Sequence, residues 1–135
     1  MDLAEQLTRD EGSRSHAYLD TVGKVSVGVG RNLTDVGLSE SEIQTLLAND
    51  IAKVRAQLAG YAWYQGLDPI RQGAIENMCF NIGLGGILHF PTMIHCLTVK
   101  DWQGASDAML DSVWSKQVGA RAFRLARQVL SGEWQ

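Results

Sequence analysis

The sequence predicts an α+β protein, mostly helical, with one small antiparallel sheet near its N-terminus. Three observations carry that reading. Apolar residues recur at helical spacing in several stretches, while Val25, Val27 and Val29 alternate with Ser26, Gly28 and Gly30 at the spacing of a half-buried strand. With 135 residues, 45% of them hydrophobic and 20% charged, the chain suits a single domain over 1–135. Such a domain buries roughly two-thirds of its unfolded surface and needs neither disulfide nor metal to hold a core.

Taken in order, Leu3 and Leu7 mark a first helix, stopped by Gly12. Thr21-Val22-Gly23-Lys24 reads as a hairpin turn, which makes 17–30 a small sheet and 13–37 a β lobe. At 39–59 a connecting helix opens with a Ser39/Glu42 capping box and a Leu38–Ile43 staple. Its stripe is Ile43, Leu47, Ile51, Val54 and Leu58. Asp68-Pro69 starts a further helix, Asp as N-cap and Pro at N1. Ile70, Ala74, Ile75, Met78, Cys79 and Ile82 wrap so much of it that it is expected to be central and buried, ending at Gly83-Leu84-Gly85-Gly86. Helices are expected at 91–99, 102–111 and 120–131, the last with Ala122, Phe123, Ala126, Val129 and Leu130 on one side. Residues 60–135 with 1–11 would form a helical lobe, and a cleft between the lobes would take substrate.

Composition narrows the function. The balance of 12 Lys+Arg against 15 Asp+Glu gives −3, opposite in sign to a nucleic-acid-gripping domain. Lys116, Arg121, Arg124 and Arg127 form a local cationic stretch, read as a solvated helix face. The first residues show no secretory signal, and no apolar run approaches the ~18 residues of a membrane span. Gly28-Val29-Gly30 lacks the third glycine and helix of a dinucleotide site, and Gly23-Lys24 lacks the glycine spacing of a phosphate loop. His89, His95, Cys96 and Cys79 match no familiar zinc spacing, so buried free thiols are expected, with no metal and no cofactor. Ser13 or Ser15 with His16 and Asp20 lack the elbow of a serine triad.

The carboxylates are more suggestive. Glu11 ends a helix, where the last carbonyls disfavour a second negative charge and a general acid keeps its proton. Asp20 follows in the sheet, and Ser26 shares a strand face with Gly28 and Gly30, which have no side chains to obstruct a ligand. A proton donor, a carboxylate and a small hydroxyl suit the splitting of a glycosidic bond. On the residues alone, a surface acid and a turn residue account for Glu11 and Asp20 better than a site does.

Glu11-Gly12, Tyr18-Leu19-Asp20 and Ser26-Val27-Gly28-Val29-Gly30-Arg31-Asn32-Leu33-Thr34 resemble the catalytic segment of the phage-type lysozymes. That family reads Glu, eight residues, Asp, five residues, Thr; here the spacing is intact with Ser26 in the last place. Arg71–Gly83 resembles its buried central helix, and Trp114, Arg121-Ala122 and Gly132-Glu133-Trp134 its C-terminal helices. The resemblance implies a lysozyme-like fold and a muramidase cutting the β-1,4 bond between N-acetylmuramic acid and N-acetylglucosamine in peptidoglycan. Glu11 would protonate the departing oxygen, with Asp20 on the opposite sugar face and Ser26 holding the attacking water, in a reaction that inverts. Asn32, Phe80 and Asn81 would line the cleft against sugar. Arg121 falls where the family pairs an arginine with the catalytic Glu, and Arg31 would pair with Asp20 or a neighbour. Ser26 keeps the hydroxyl but loses the methyl that restrains its rotamer.

Two other readings accompany this one. A lytic transglycosylase needs one Glu and no water-handling pair, and Asp20 with Ser26 argues against it. A non-catalytic glycan-binding or virion structural protein would be marked by loss of Glu11 or Asp20, and both are present. The resemblance further implies a monomer that accumulates in the host bacterial cytoplasm, then reaches the cell wall through a lesion made by a holin it need not touch.

Overall fold

Helix makes up 64% of the computed structural model, which describes residues 1–135. By internal contacts the chain divides into two units, Met1–Leu46 and Leu47–Gln135.

The first unit begins with α1, Leu3–Glu11, opened by a capping box in which Asp2 and Glu5 each accept the other's backbone N–H at 2.9 Å. Gly12, at φ 77°, ends it. Strands β1 (Arg14–Leu19), β2 (Val25–Gly28) and β3 (Arg31–Asn32) form an antiparallel sheet in sequence order. The sheet expected at 17–30 thus starts earlier and gains a third strand. β2 stops at Gly28 rather than Gly30, because Gly28 and Gly30 both take φ +67° and turn the chain back into β3. The buried side chain of β2 is not a valine either: Ser26, on the central strand opposite Tyr18 and Asn32, is 4% exposed.

Helix α2, Glu40–Leu58, starts in the first unit and ends in the second. Its capping box forms as expected: the Ser39 N–H donates to Glu42 Oε1 at 2.9 Å, and the Glu42 N–H to Ser39 Oγ at 3.2 Å. The apolar stripe is buried only toward its C-terminal end, at Val54 and Leu58; Ile43 and Leu47 are exposed.

In the second unit, α3 (Ala62–Gln65) and α7 (Val113–Val118) are short helices that the periodicity did not announce. Asp68 caps α4, Pro69–Leu88, through Oδ1, which accepts the N–H groups of Ile70 and Arg71. Gly83, at φ 75° and ψ 167°, breaks the helix where the stop is expected, and a second helical segment then runs on to Leu88. Ala74, Ile75, Met78 and Cys79 are buried, as their spacing predicts. α5 (Pro91–Thr98) and α6 (Trp102–Leu110) follow, and α8 (Ala120–Ser131) packs on α6 and α4.

The buried face of α8 is rotated from the expected one. Phe123 and Leu130 are exposed, and Leu125 and Gln128 lie inside with Ala122, Ala126 and Val129. The i, i+3, i+4, i+7 set 122, 125, 126, 129 makes one stripe, and Gln128 joins it because its Nε2 donates to the Ile70 carbonyl at 2.8 Å. Cys79 and Cys96 are free and buried, and burial pushes both thiols up from their ordinary range. A polar link joins three helices inside this unit: Tyr64 donates to Glu76 at 2.7 Å and Arg55 Nε reaches the other carboxylate oxygen at 3.2 Å. Burial and that carboxylate push the Tyr64 phenol up to about 12.

Candidate active site

Glu11 is the last residue of α1, and its side chain is laid along the backbone of the turn that follows β2. A Cβ placed on Gly30 would stand 3.5 Å from Glu11 Oε2 and 3.8 Å from its Cδ. Gly30 is needed for its positive φ, and a Cβ there would meet the Glu11 carboxylate at ordinary van der Waals distance. The carboxylate end is open to solvent and free to meet a ligand.

Asp20 opens the β1–β2 turn. Its N–H donates to the Lys24 carbonyl at 2.8 Å, and its carbonyl accepts from Gly23 at 3.1 Å. Oδ1 accepts the N–H groups of Val22 and Lys24, both at 2.9 Å, in the manner of an Asx turn. The turn reading of this residue is thus correct as far as Oδ1 goes. These bonds leave Oδ2 uncommitted, with a carboxylate held rigidly behind it.

Ser26 follows both groups in sequence and lies on the central strand of the sheet, with β1 and β3 on either side. All three of the site's expected chemical groups therefore belong to the first unit.

The expected supporting residues have partners of their own. Arg31 pairs with Glu42, not Asp20: Nη1 donates to Glu42 Oε1 at 2.6 Å and to the Gly37 carbonyl at 3.3 Å, tying β3 to the start of α2. That guanidinium, helped by the Ser39 N–H and hydroxyl, holds the Glu42 carboxyl down at about 2. Asn32 has both ends of its amide on Asp35: Nδ2 donates to Oδ2 at 3.0 Å, and Oδ1 accepts the Asp35 N–H at 3.0 Å.

In the second unit, Phe80 is half exposed and Asn81 Oδ1 accepts the Trp114 indole N–H at 2.8 Å, which leaves the Asn81 amide nitrogen free to donate. Arg121 forks onto Asn77, with Nε and Nη2 at 2.9 and 2.7 Å from Asn77 Oδ1. Phe80, Asn77 and Arg121 line one cavity of about 330 Å³ together with Leu47, Val54 and Trp134.

Sequence reasoning gave no site role to Lys24, Asp35 or Asn77, and read Gly30 only as a bare position on the strand face. The paired glycines around Val29 were a usable sign that the chain turns there. Nothing local announced the rest, since their partners are remote in sequence or lie on a neighbouring turn.

Residues 8–129 match the phage lysozyme family. The chain belongs to that family. Its relatives include the pre-baseplate central spike protein of Enterobacteria phage T4, 31% identical over 98% of this chain; the chain spans 28% of that protein's length. Probable T4-type lysozyme 1 of Dictyostelium discoideum is 26% identical over 96% of this chain and 94% of its own length. The endolysin of Salmonella phage P22 is 27% identical over 82% and 79%. At the level of the family, this phage lysozyme relative stands among the glycoside hydrolases. No helix is long and apolar enough to cross a membrane.

Proposed function

We propose that this phage lysozyme family member is a muramidase that hydrolyses the β-1,4 bond between N-acetylmuramic acid and N-acetylglucosamine in peptidoglycan. The observation that carries the reading is the Glu11 carboxyl at the end of α1, laid on the Gly30 backbone and open to solvent, in the same unit as Asp20 and Ser26. In this reading Glu11, protonated, gives its proton to the glycosidic oxygen as the bond to the anomeric carbon breaks. The free oxygen of Asp20 faces the developing positive charge. It takes a proton from a water that Ser26 holds, and that water bonds to the anomeric carbon from the opposite side. Phe80 would offer a ring face to a sugar, Asn81 an amide donor and Asn32 the adjoining strand. Arg31 and Arg121 act through Glu42 and Asn77, shaping the ground on which these groups stand.

The protein would act without cofactor or nucleic acid, as a monomer. It would be held in the host bacterial cytoplasm until a holin opens a path to the periplasm and wall. The identity to a central spike protein favours a second reading, in which the same chemistry is carried on a virion.

Mass spectrometry of purified peptidoglycan, digested by the wild type and by Glu11→Gln, tests the proposal. Soluble muropeptides with reducing N-acetylmuramic acid ends are expected from the wild type and are expected to fall by about 10²–10⁴-fold in the variant. Anhydro ends would instead mark a lytic transglycosylase. Wall binding without any release would mark a glycan-binding or virion structural protein.

A further inference from the structure

The pairing of β2 with β3 does not stop where β3 ends. Beyond the Ser26–Asn32 pair, the Leu33 N–H donates to the Val25 carbonyl at 2.8 Å, and the Val25 N–H donates to Thr34 Oγ1 at 2.9 Å. Lys24 Nζ then meets Asp35 Oδ1 at 3.2 Å. Side chains thus carry the ladder on for the length of the turn, and Asp35 is its last rung.

Both Asp35 oxygens are used. Oδ1 holds Lys24, whose backbone N–H donates to Asp20 Oδ1 and whose carbonyl accepts the Asp20 N–H. Oδ2 holds the Asn32 amide, and Asn32 is the cross-strand partner of Ser26. One carboxylate therefore reaches each of two expected catalytic groups through a single intervening residue. The first unit has no buried apolar side chain, so only the β1–β2 pairing and these polar bonds fix this spacing.

We propose that Asp35 is a positioning residue for the hydrolysis, setting the Asp20 carboxylate and the Ser26 hydroxyl at a fixed separation about the attacking water. The inference rests on the muramidase reading of that same site. The Lys24–Asp35 pair is solvent-exposed, with side chains 40% and 53% accessible, so it adds little to global stability. Turnover is far more sensitive, because small misplacements of reacting groups cost rate steeply. Stability and turnover should accordingly part company in Asp35 variants.

The test measures kcat and KM on solubilised peptidoglycan fragments, and thermal unfolding, for the full chain and for Asp35→Ala, Asp35→Asn, Lys24→Met and the Asp35→Ala/Lys24→Met double variant. Asp35→Ala is expected to lower kcat about tenfold with KM within about twofold and Tm within about 3 °C of the wild type. Asp35→Asn, which keeps an acceptor for Lys24, should recover part of that loss. The double variant should be no slower than Asp35→Ala, because Lys24 acts through Asp35. Unchanged kcat in Asp35→Ala would overturn the proposal. So would a rise in KM alone, which would make Asn32 and Asp35 sugar contacts, or a Tm drop of about 10 °C accompanying the loss. An inactive wild type fails the muramidase reading itself, whereas an active one indifferent to Asp35 fails only this inference.

Discussion

The two units are held together by different physics. Every buried apolar side chain lies at Val54 or beyond, whereas the only buried residue among the first 46 is Ser26. The second unit is a packed core in which Leu58, Ile75, Met78, Met93 and Met109 have no exposure at all. The first is a frame of capping boxes, Asx bonds and positive-φ glycines at positions 12, 23, 28, 30 and 37. The proposed catalytic groups Glu11, Asp20 and Ser26 sit in that lean frame. A site there is shaped by directional bonds that fix angles, and its residues can be altered with little disturbance of the apolar core.

The largest expected effect tests that division through stability. Ile75→Ala removes a fully buried side chain from α4 and should cost about 2–5 kcal/mol in urea unfolding. Val25→Ala, in the sheet and 38% exposed, should cost less than about 1 kcal/mol. Equal losses would mean that the first unit has an apolar core after all, and the contrast drawn above would fail.

Gly30 sharpens the comparison inside the first unit. Alanine at φ +67° carries strain of about 1–2 kcal/mol, and here its methyl would also touch Glu11 at ordinary van der Waals distance. Gly37, at φ +68° with nothing within 4 Å of a Cβ, offers the same strain without that contact. Gly30→Ala and Gly37→Ala should thus lose similar stability by thermal unfolding, while muropeptide release should fall further in Gly30→Ala, where the strained backbone relaxes against Glu11. Parallel activity losses would assign the effect to backbone strain and take away Gly30's role under Glu11.

How much of this could be read from the chain follows the same division. Local grammar was legible wherever one short segment supplies both partners, as at the Ser39/Glu42 box and the Asp68-Pro69 helix start. The Glu11–Asp20–Ser26 spacing was legible through family resemblance more than through chemistry, since Asp20 also behaves as the turn residue its bland reading required. Tertiary partners were not legible. The face of α8 turned because Gln128 found a carbonyl on α4, and Arg31 went to Glu42 because the turn after β3 brings them together. The short helices α3 and α7 are too brief for a period to register.

The smallest expected effect concerns that Arg31–Glu42 pair, which joins the sheet to α2. The hydrogen bond from Arg31, then those from Ser39, lower the Glu42 carboxyl from 4.5 to about 2. A carboxyl depressed on folding stabilises the native state above its unfolded pKa. That contribution fades as pH falls from about 4.5 toward 2, where the unfolded chain takes up a proton that the folded one still refuses. Glu42→Gln keeps an acceptor for the Ser39 N–H but cannot bear the charge. Thermal unfolding should therefore show the wild type modestly more stable at pH 7, with the gap closing by pH 2 and narrowing in high salt, because both side chains are 38% accessible. A gap that stays constant with pH would assign the residue's contribution to the helix cap alone. The sheet would then be joined to α2 by neutral hydrogen bonds, like the rest of its frame.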